Sequence, residues 1–587
     1  MNNNSKPIIY QMLPRLFGNM NANCKPGGTC AENGCGKLNG ITPNVLKAIK
    51  RLGATHIWYT GVIEHATKTD YSAYGISPCN PHVVKGNAGS PYAIRDYYDI
   101  DPDLAEDVRG RMGEFEDLVA RTHREGLKVI IDFVPNHVAR EYASDAKPHG
   151  VDDLGAHDDV TKAFDRDNNF YYLPNQQFAP SISLGDGCNK YVEFPAKATG
   201  NDCFTAFPSV NDWYETAKLN YGIDYSNGSH HFFPIPSTWW KMLDILDFWA
   251  AKDVDGFRCD MAHMVPIEFW QWAVPQIKQR HPGIIFIAEI YDVSLYGRFI
   301  GDGQFDYLYD KVTLYDTLRG IVCGNVSAAA ITNCWQAIEG MQDHMLNFLE
   351  NHDEQRIASS QFAGDPLRAL PAAVVSATMS RCPFMIYMGQ ELGEPAADAE
   401  GFSGRDGRTT IFDYWSVDTL RRWYDGGKCR DTKLTEQEKS LQNRYARLLS
   451  LCNSEPSISQ GSFFDLMYAN YHSLNPHRQY VFLRHHGADT LLVAVNFDSV
   501  KADIGINVPQ HAFDCLQLRQ GEYEACNLLG DNGQRHTVLL SSLMPLHVSL
   551  PPYGSAIIKL TWKKCERGIR KKRRFRRFYH ILVLPLY

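Results

Sequence analysis

The run Lys128-Val-Ile-Ile-Asp-Phe-Val134 is bounded by Gly126 on one side and Pro135-Asn136 on the other. It lacks the alternation that would give a strand one wet face, so it reads as a strand covered on both sides, as in parallel sheets. A helix-period segment precedes it, with Phe115, Leu118 and Val119 on one face and Gly126 as its stop. The same couplet recurs along the first four hundred residues. Residues 8–13 read as a first strand, followed by a helix that Thr42-Pro43 opens and Gly53 closes, with Val45, Leu46, Ile49 and Leu52 turned inward. Further strands fall at 55–63, 256–260, 284–290, 305–309, 347–349 and 384–388, the one at 305–309 having the weakest pattern. Repeated βα units of this kind predict an α/β fold with a parallel sheet.

The rhythm breaks once. Residues 138–238 are rich in Gly, Asn, Asp and aromatics and show no helical period. A hundred irregular residues exceed an ordinary loop, so they read as an inserted subdomain. Eight strands with one insertion after the third predict a (β/α)8 TIM barrel. Its two parts are 1–137 and 239–453. After a Ser/Asn/Pro/Gly-rich stretch at 453–461, read as a linker, short strands and turns at 454–562 predict a C-terminal antiparallel β-sandwich domain. Residues 563–587 form a basic tail, read as a disordered extension.

Composition excludes several classes. At 587 residues, 44% apolar and 21% charged, the chain is globular. No apolar stretch approaches the roughly 20 residues of a membrane span. The start, MNNNSKPIIYQ, shows no secretory signal, which predicts a cytoplasmic protein, with a trimmed leader as the open alternative. Fifteen cysteines, an odd number spread along the chain, predict reduced thiols. Cys24, Cys30 and Cys35 lack zinc-site spacing and read as part of a glycine-rich loop. Net charge is −8, yet from Lys563 onward there are ten Lys/Arg against one Glu, so the body is about −17. Such a body is no nucleic-acid binder.

Chemistry in a barrel gathers at the C-terminal strand ends. Those ends read Asp132-Phe-Val-Pro-Asn136-His137, Gly256-Phe-Arg258-Cys-Asp260, Ala288-Glu289 and Glu350-Asn-His352-Asp353. Asp260, Glu289 and Asp353 therefore converge on one mouth beside His137, His352 and Arg258. Singly, each is more often a helix cap or a structural histidine; together, in this order, they form a constellation.

These four segments resemble the signature regions of the α-amylase family of glycoside hydrolases, glycoside hydrolase family 13. Ser90-Pro91-Tyr92 through Asp96-Tyr97-Tyr98, Leu219-Asn220-Tyr221 and Gly389-Gln390-Glu391 resemble further segments of that family. The resemblance implies Asp260 as nucleophile, Glu289 as general acid/base and Asp353 as transition-state stabiliser. It gives Arg258 the task of holding Asp260 ionised, and Tyr92, His137, His263 and His352 that of binding sugar. Asn136 matches the family's side-chain calcium ligand; no cofactor is required by the chemistry, and a structural calcium stays an open alternative. The implied activity is retaining hydrolysis of α-1,4-glucosidic bonds in starch, glycogen or maltodextrins through a covalent intermediate. A glucanotransferase or disaccharide isomerase with the same carboxylates is the alternative, and a non-catalytic glucan-binding protein is the more distant one. Two departures stand out: Gly61, where the family often has proline, and His263-Met264, where many members have Lys-His.

Overall fold

The computed structural model describes residues 6–182, 189–530 and 533–563. Apart from Lys563, the basic tail lies outside them. Eight parallel strands close into a barrel: β1 (Ile8–Met12), β2 (His56–Tyr59), β3 (Lys128–Phe133), β4 (Gly256–Cys259), β5 (Ile285–Ala288), β6 (Tyr307–Tyr309), β7 (Met345–Phe348) and β8 (Phe384–Tyr387). Each pairs with its sequence neighbours, and β8 closes on β1 with Ile8 opposite Phe384. The ring is filled by inward side chains, among them Ile9, Trp58, Ile130, Ile287, Leu346, Phe348 and Met385. It is a packed core, and its chemistry is confined to the rim.

The helices around the ring form for local reasons. In α1 (Pro43–Leu52) Thr42 caps the Val45 amide, Pro43 pre-sets the first turn, and Gly53 ends the helix in the left-handed region. In α2 (Arg111–Arg124) Phe115, Leu118 and Val119 are buried, as their spacing requires. The segment after the insertion forms α3 (Ser237–Ala250).

Within 138–238 the described ordered pieces are short ladders, one of them pairing His137–Ala139 with Thr216–Lys218. The Leu219-Asn220-Tyr221 motif fastens this insert to the end of β3. The Leu219 amide donates to the Asn136 carbonyl (3.0 Å) and the Tyr221 hydroxyl to the Pro135 carbonyl (2.7 Å). The Asn220 amide group donates to the carbonyls of Asp165 and Asn168, closing the insert on itself.

The last part of the chain holds β9 (Ser462–Asp465), β10 (Gln479–His486), β11 (Asp489–Asn496), β12 (Ala502–Ile506), β13 (Gly521–Asn527), β14 (Arg535–Leu540), β15 (Leu546–Leu550) and β16 (Ser555–Trp562). Six form one antiparallel sheet in the order β9-β10-β11-β16-β13-β14, and β12 pairs with β15. The stretch read as a linker is not one. Helix α4 (Glu436–Ser454) runs into it, and α5 (Pro456–Ser459) follows with Ser457 and Ile458 fully buried. Buried Arg484 on β10 donates to the carbonyls of Ser457, Ile458, Gly461 and Met379, tying the sheet to the barrel. Proline and serine at 453–461 start a helix there, a role the same composition serves as readily as a loop. Among the described residues, no helix is long and apolar enough to cross a membrane.

Candidate active site

Register builds the site. On β3 and β4, Asp132 sits opposite Arg258, and on β4 and β5, Arg258 opposite Ile287. Strand alternation then turns Asp132, Arg258 and Asp260 to the same inner face, with Cys259 outward. Arg258 is completely buried, and its guanidinium bridges two carboxylates: Nη1 donates to Oδ1 of Asp260 at 2.8 Å, and Nη2 lies 2.8 Å from Oε1 of Glu289. The first contact is an aligned hydrogen bond. The second is an ion pair without hydrogen-bond alignment, which leaves Nη2 without a hydrogen-bond partner. Asp132 Oδ1 stands 3.7 Å from Nη1. The rings of Trp58, Tyr92 and Tyr309 surround the same cation at 5.2–5.4 Å, and Nε donates to the Tyr309 hydroxyl.

One cation thus serves three buried acids. Burial, and then the charge of Glu289, push the Asp260 carboxyl well above its ordinary range, with Arg258 pulling the other way. Burial holds Asp132 up to about 6 against the same pull. Burial followed by Glu289 raises Asp353 to about 7.

His352 is fixed on both ring nitrogens. The Gln11 amide donates to Nδ1 (2.8 Å), so Nε2 carries the hydrogen, directed at the Tyr92 hydroxyl (2.6 Å) and Asp353 Oδ2 (3.1 Å). Burial and then Arg258 hold this ring neutral. Asp353 is at the rim, its side chain 36% exposed. The backbone after β4 also contributes. Met261 lies in the left-handed region at φ +42°, and its amide donates to Glu289 Oε2 at 2.8 Å.

The structure therefore brings Asp260, Glu289, Arg258, Tyr92 and His352 together, with Asp353 at the edge. His263 stands beside them, its ring 6.0 Å from that of Tyr291. His137 faces the insert, its ring 5.2 Å from that of Trp213 in a tilted contact and accepting at Nδ1 from the Asn136 amide; burial lowers it to about 3. Gln11, Trp58, Asp132, Tyr309 and Tyr291 also belong to the site, although nothing in the sequence assigned them a role. Inward parity on the strands was the available signal for the first four, and Tyr291 lies in the loop after β5. Gly61 is explained by the site as well. At φ +70° its amide donates to Asp132 Oδ2, and a Cβ there would lie 2.7 Å from Pro91. Proline could supply neither the donor nor that backbone angle.

Asn136 does not fit a calcium ion. Its side-chain oxygen accepts from the Lys218 ammonium (2.7 Å), which also pairs with Asp202 at 2.5 Å, and its amide nitrogen donates to the Gly200 carbonyl. A lysine thus stands where the resemblance placed a metal.

Comparison with known proteins identifies the family. The family profile described as alpha amylase, catalytic domain, matches residues 11–443, more than half of the chain. A cyclomaltodextrinase of Thermoanaerobacter pseudethanolicus is 23% identical over 529 residues, covering 87% of this chain and 74% of that protein. Neopullulanase 2 of Thermoactinomyces vulgaris is 23% identical over 534 residues, covering 87% and 73%. Among solved structures, the noncanonic maltogenic alpha-amylase AmyB of Thermotoga neapolitana superposes with a TM-score of 0.60 at 19% identity, covering 95% of this chain and 99% of that one. A closed eight-stranded barrel matched over residues 11–443 by the family's catalytic domain, with acids at the ends of strands four, five and seven, places this chain in the α-amylase family, and it is a glycoside hydrolase.

Proposed function

We propose that the enzyme hydrolyses α-1,4-glucosidic bonds of maltodextrins, starch or glycogen with retention of configuration. The observation that carries this reading is the single guanidinium of Arg258 spanning Asp260 and Glu289. Carboxylates joined across one guanidinium fit the roughly 5 Å separation of retaining glycosidases better than the wider gap that admits a water. Asp260, hydrogen-bonded to Arg258, is the nucleophile that attacks the anomeric carbon and forms the glycosyl-enzyme. Glu289 gives its proton to the departing sugar oxygen, then takes one from the water that releases the product. Asp353, with His352 behind it, faces the sugar from the far rim and stabilises the developing positive charge. Tyr92, whose hydroxyl meets His352, offers its ring for stacking on the sugar, and His137 and His263 are the further side chains that bind it. The curated relatives carry the names cyclomaltodextrinase and neopullulanase, so cyclic maltodextrins and pullulan belong in the substrate panel. The described cysteines are all free thiols, which supports action in a reducing, cytoplasmic compartment.

The test is incubation with maltoheptaose, following reducing ends, chain lengths and the anomer first released. Rising reducing ends with an α product support the reading, and a β product overturns retention. Redistribution of chain lengths without new reducing ends means a transferase, and conversion confined to disaccharides means an isomerase.

A further inference from the structure

Glu289 has two hydrogen-bond donors among the described residues, and only one of them is a side chain. The Met261 amide serves Oε2, and the hydroxyl of Tyr291, two residues further along the loop after β5, serves Oε1 at 2.6 Å. The groups that face this carboxyl come from every neighbouring strand. They are Asp132 on β3, Arg258 and Asp260 on and after β4, Tyr309 on β6, and Asp353 after β7, while His263 packs on Tyr291 and His352 pairs with Asp353.

An acid/base carboxyl must stay in one place through two protonation states. A donor suits both states, because a carboxylate oxygen and the carbonyl oxygen of a carboxylic acid each accept, and the acid's one O–H is then left free for the leaving group. We propose that Tyr291 is the positioning residue of the acid/base: its hydroxyl donates to Oε1 of Glu289 in both protonation states, more strongly to the carboxylate, and so holds the carboxyl in register while the other oxygen carries the transferred proton. Tyr291 keeps its own proton throughout, and the transferred proton moves only between Glu289 and the leaving-group or water oxygen. Burial, then the charge of Glu289, push the Tyr291 hydroxyl well above its ordinary range, so it remains a phenol at working pH. The half-buried ring sits against the barrel's inner cluster and edge-on to His263, which fixes the direction of the hydroxyl.

This inference rests on Glu289 being the acid/base. Its test is Tyr291→Phe, which removes one oxygen and leaves the ring in place, assayed against two donors. Maltoheptaose needs a proton on its leaving oxygen; α-maltosyl fluoride does not. The expected result is about a tenfold fall in kcat on maltoheptaose, the loss of one hydrogen bond to a charged group. The rate of glycosyl-enzyme formation from the fluoride stays within twofold. The alkaline limb of kcat/KM moves to higher pH, because a carboxylate that has lost a donor holds its proton more firmly. Equal losses on both donors, or a limb that does not move, overturn the proposal. A wild-type enzyme inert toward maltoheptaose counts against the substrate reading alone. The inference is then read by infrared titration of the Glu289 carboxyl band, identified through Glu289→Gln, and a band that titrates identically in wild type and Tyr291→Phe sinks it.

Discussion

The ammonium of Lys218, only 2% exposed, lies 2.7 Å from the side-chain oxygen of Asn136 and joins the insert to the end of the third barrel strand. Burial draws its affinity for a proton down while Asp202 opposes this, so a fixed internal cation sits at the joint. Excess EDTA is therefore expected to leave both the melting temperature and the activity unchanged. In Lys218→Met, the Asn136 oxygen loses its partner, at a cost of about 1–3 kcal/mol. Thermal melts with and without chelator check both statements; a chelator-dependent wild type would contradict the first.

Asp260→Asn keeps the shape of the site and removes the attacking oxygen's charge. Activity on maltodextrins is expected to fall on the order of ten-thousandfold, while affinity for a malto-oligosaccharide measured by calorimetry changes little. A variant that keeps a tenth of its rate would move the nucleophile elsewhere.

Asp310, at the end of β6, is 2% exposed and caps the Leu314 amide; burial raises its carboxyl from 3.8 to about 7. Between about pH 4 and pH 7 the folded chain holds a proton that the unfolded chain has lost. Stability contributed by this group therefore falls as pH rises through that window, and the penalty is complete above pH 7. Asp310→Asn keeps the capping oxygen and cannot ionise. Relative to wild type, it is expected to gain on the order of 2–4 kcal/mol between pH 4 and pH 8. Urea unfolding at the two pH values measures the difference.

Gly61→Pro places the residue common in the family at this strand end. Here it forces φ away from +70° and strips the amide from buried Asp132. A loss of about 3 kcal/mol or more is expected from denaturant melts. Gly61→Ala, which retains the amide, is expected to lose less.

The barrel was legible because its strands are continuous apolar runs and its chemistry sits at their ends. That Asp260, Glu289 and Asp353 share one mouth could be read from their places at strand ends, whereas their separate roles came from the family resemblance. The region around 305–309 was faint because β6 spans three residues, and a short strand leaves little periodicity. What could not be read depends on contacts between distant segments. Asn136 was matched to a calcium ligand through the resemblance alone, because Lys218, which it contacts in the fold, is 82 residues further on, in a region without regular pattern. The aromatic cage about Arg258 has the same origin: Trp58, Tyr92 and Tyr309 meet only once the ring closes. The stretch at 453–461 misled because serine, asparagine and proline mark helix starts as well as loops.

Arg484 deserves a last consequence. One desolvated guanidinium holds four carbonyls, contributed by the segment between α4 and β9 and by Met379 of the barrel. A β domain that peeled away would leave that charge stranded and those oxygens bare, so the junction cannot open by degrees. Barrel and sheet consequently share one fate on heating, and calorimetry of the intact enzyme should record a single cooperative transition, not one for each architecture.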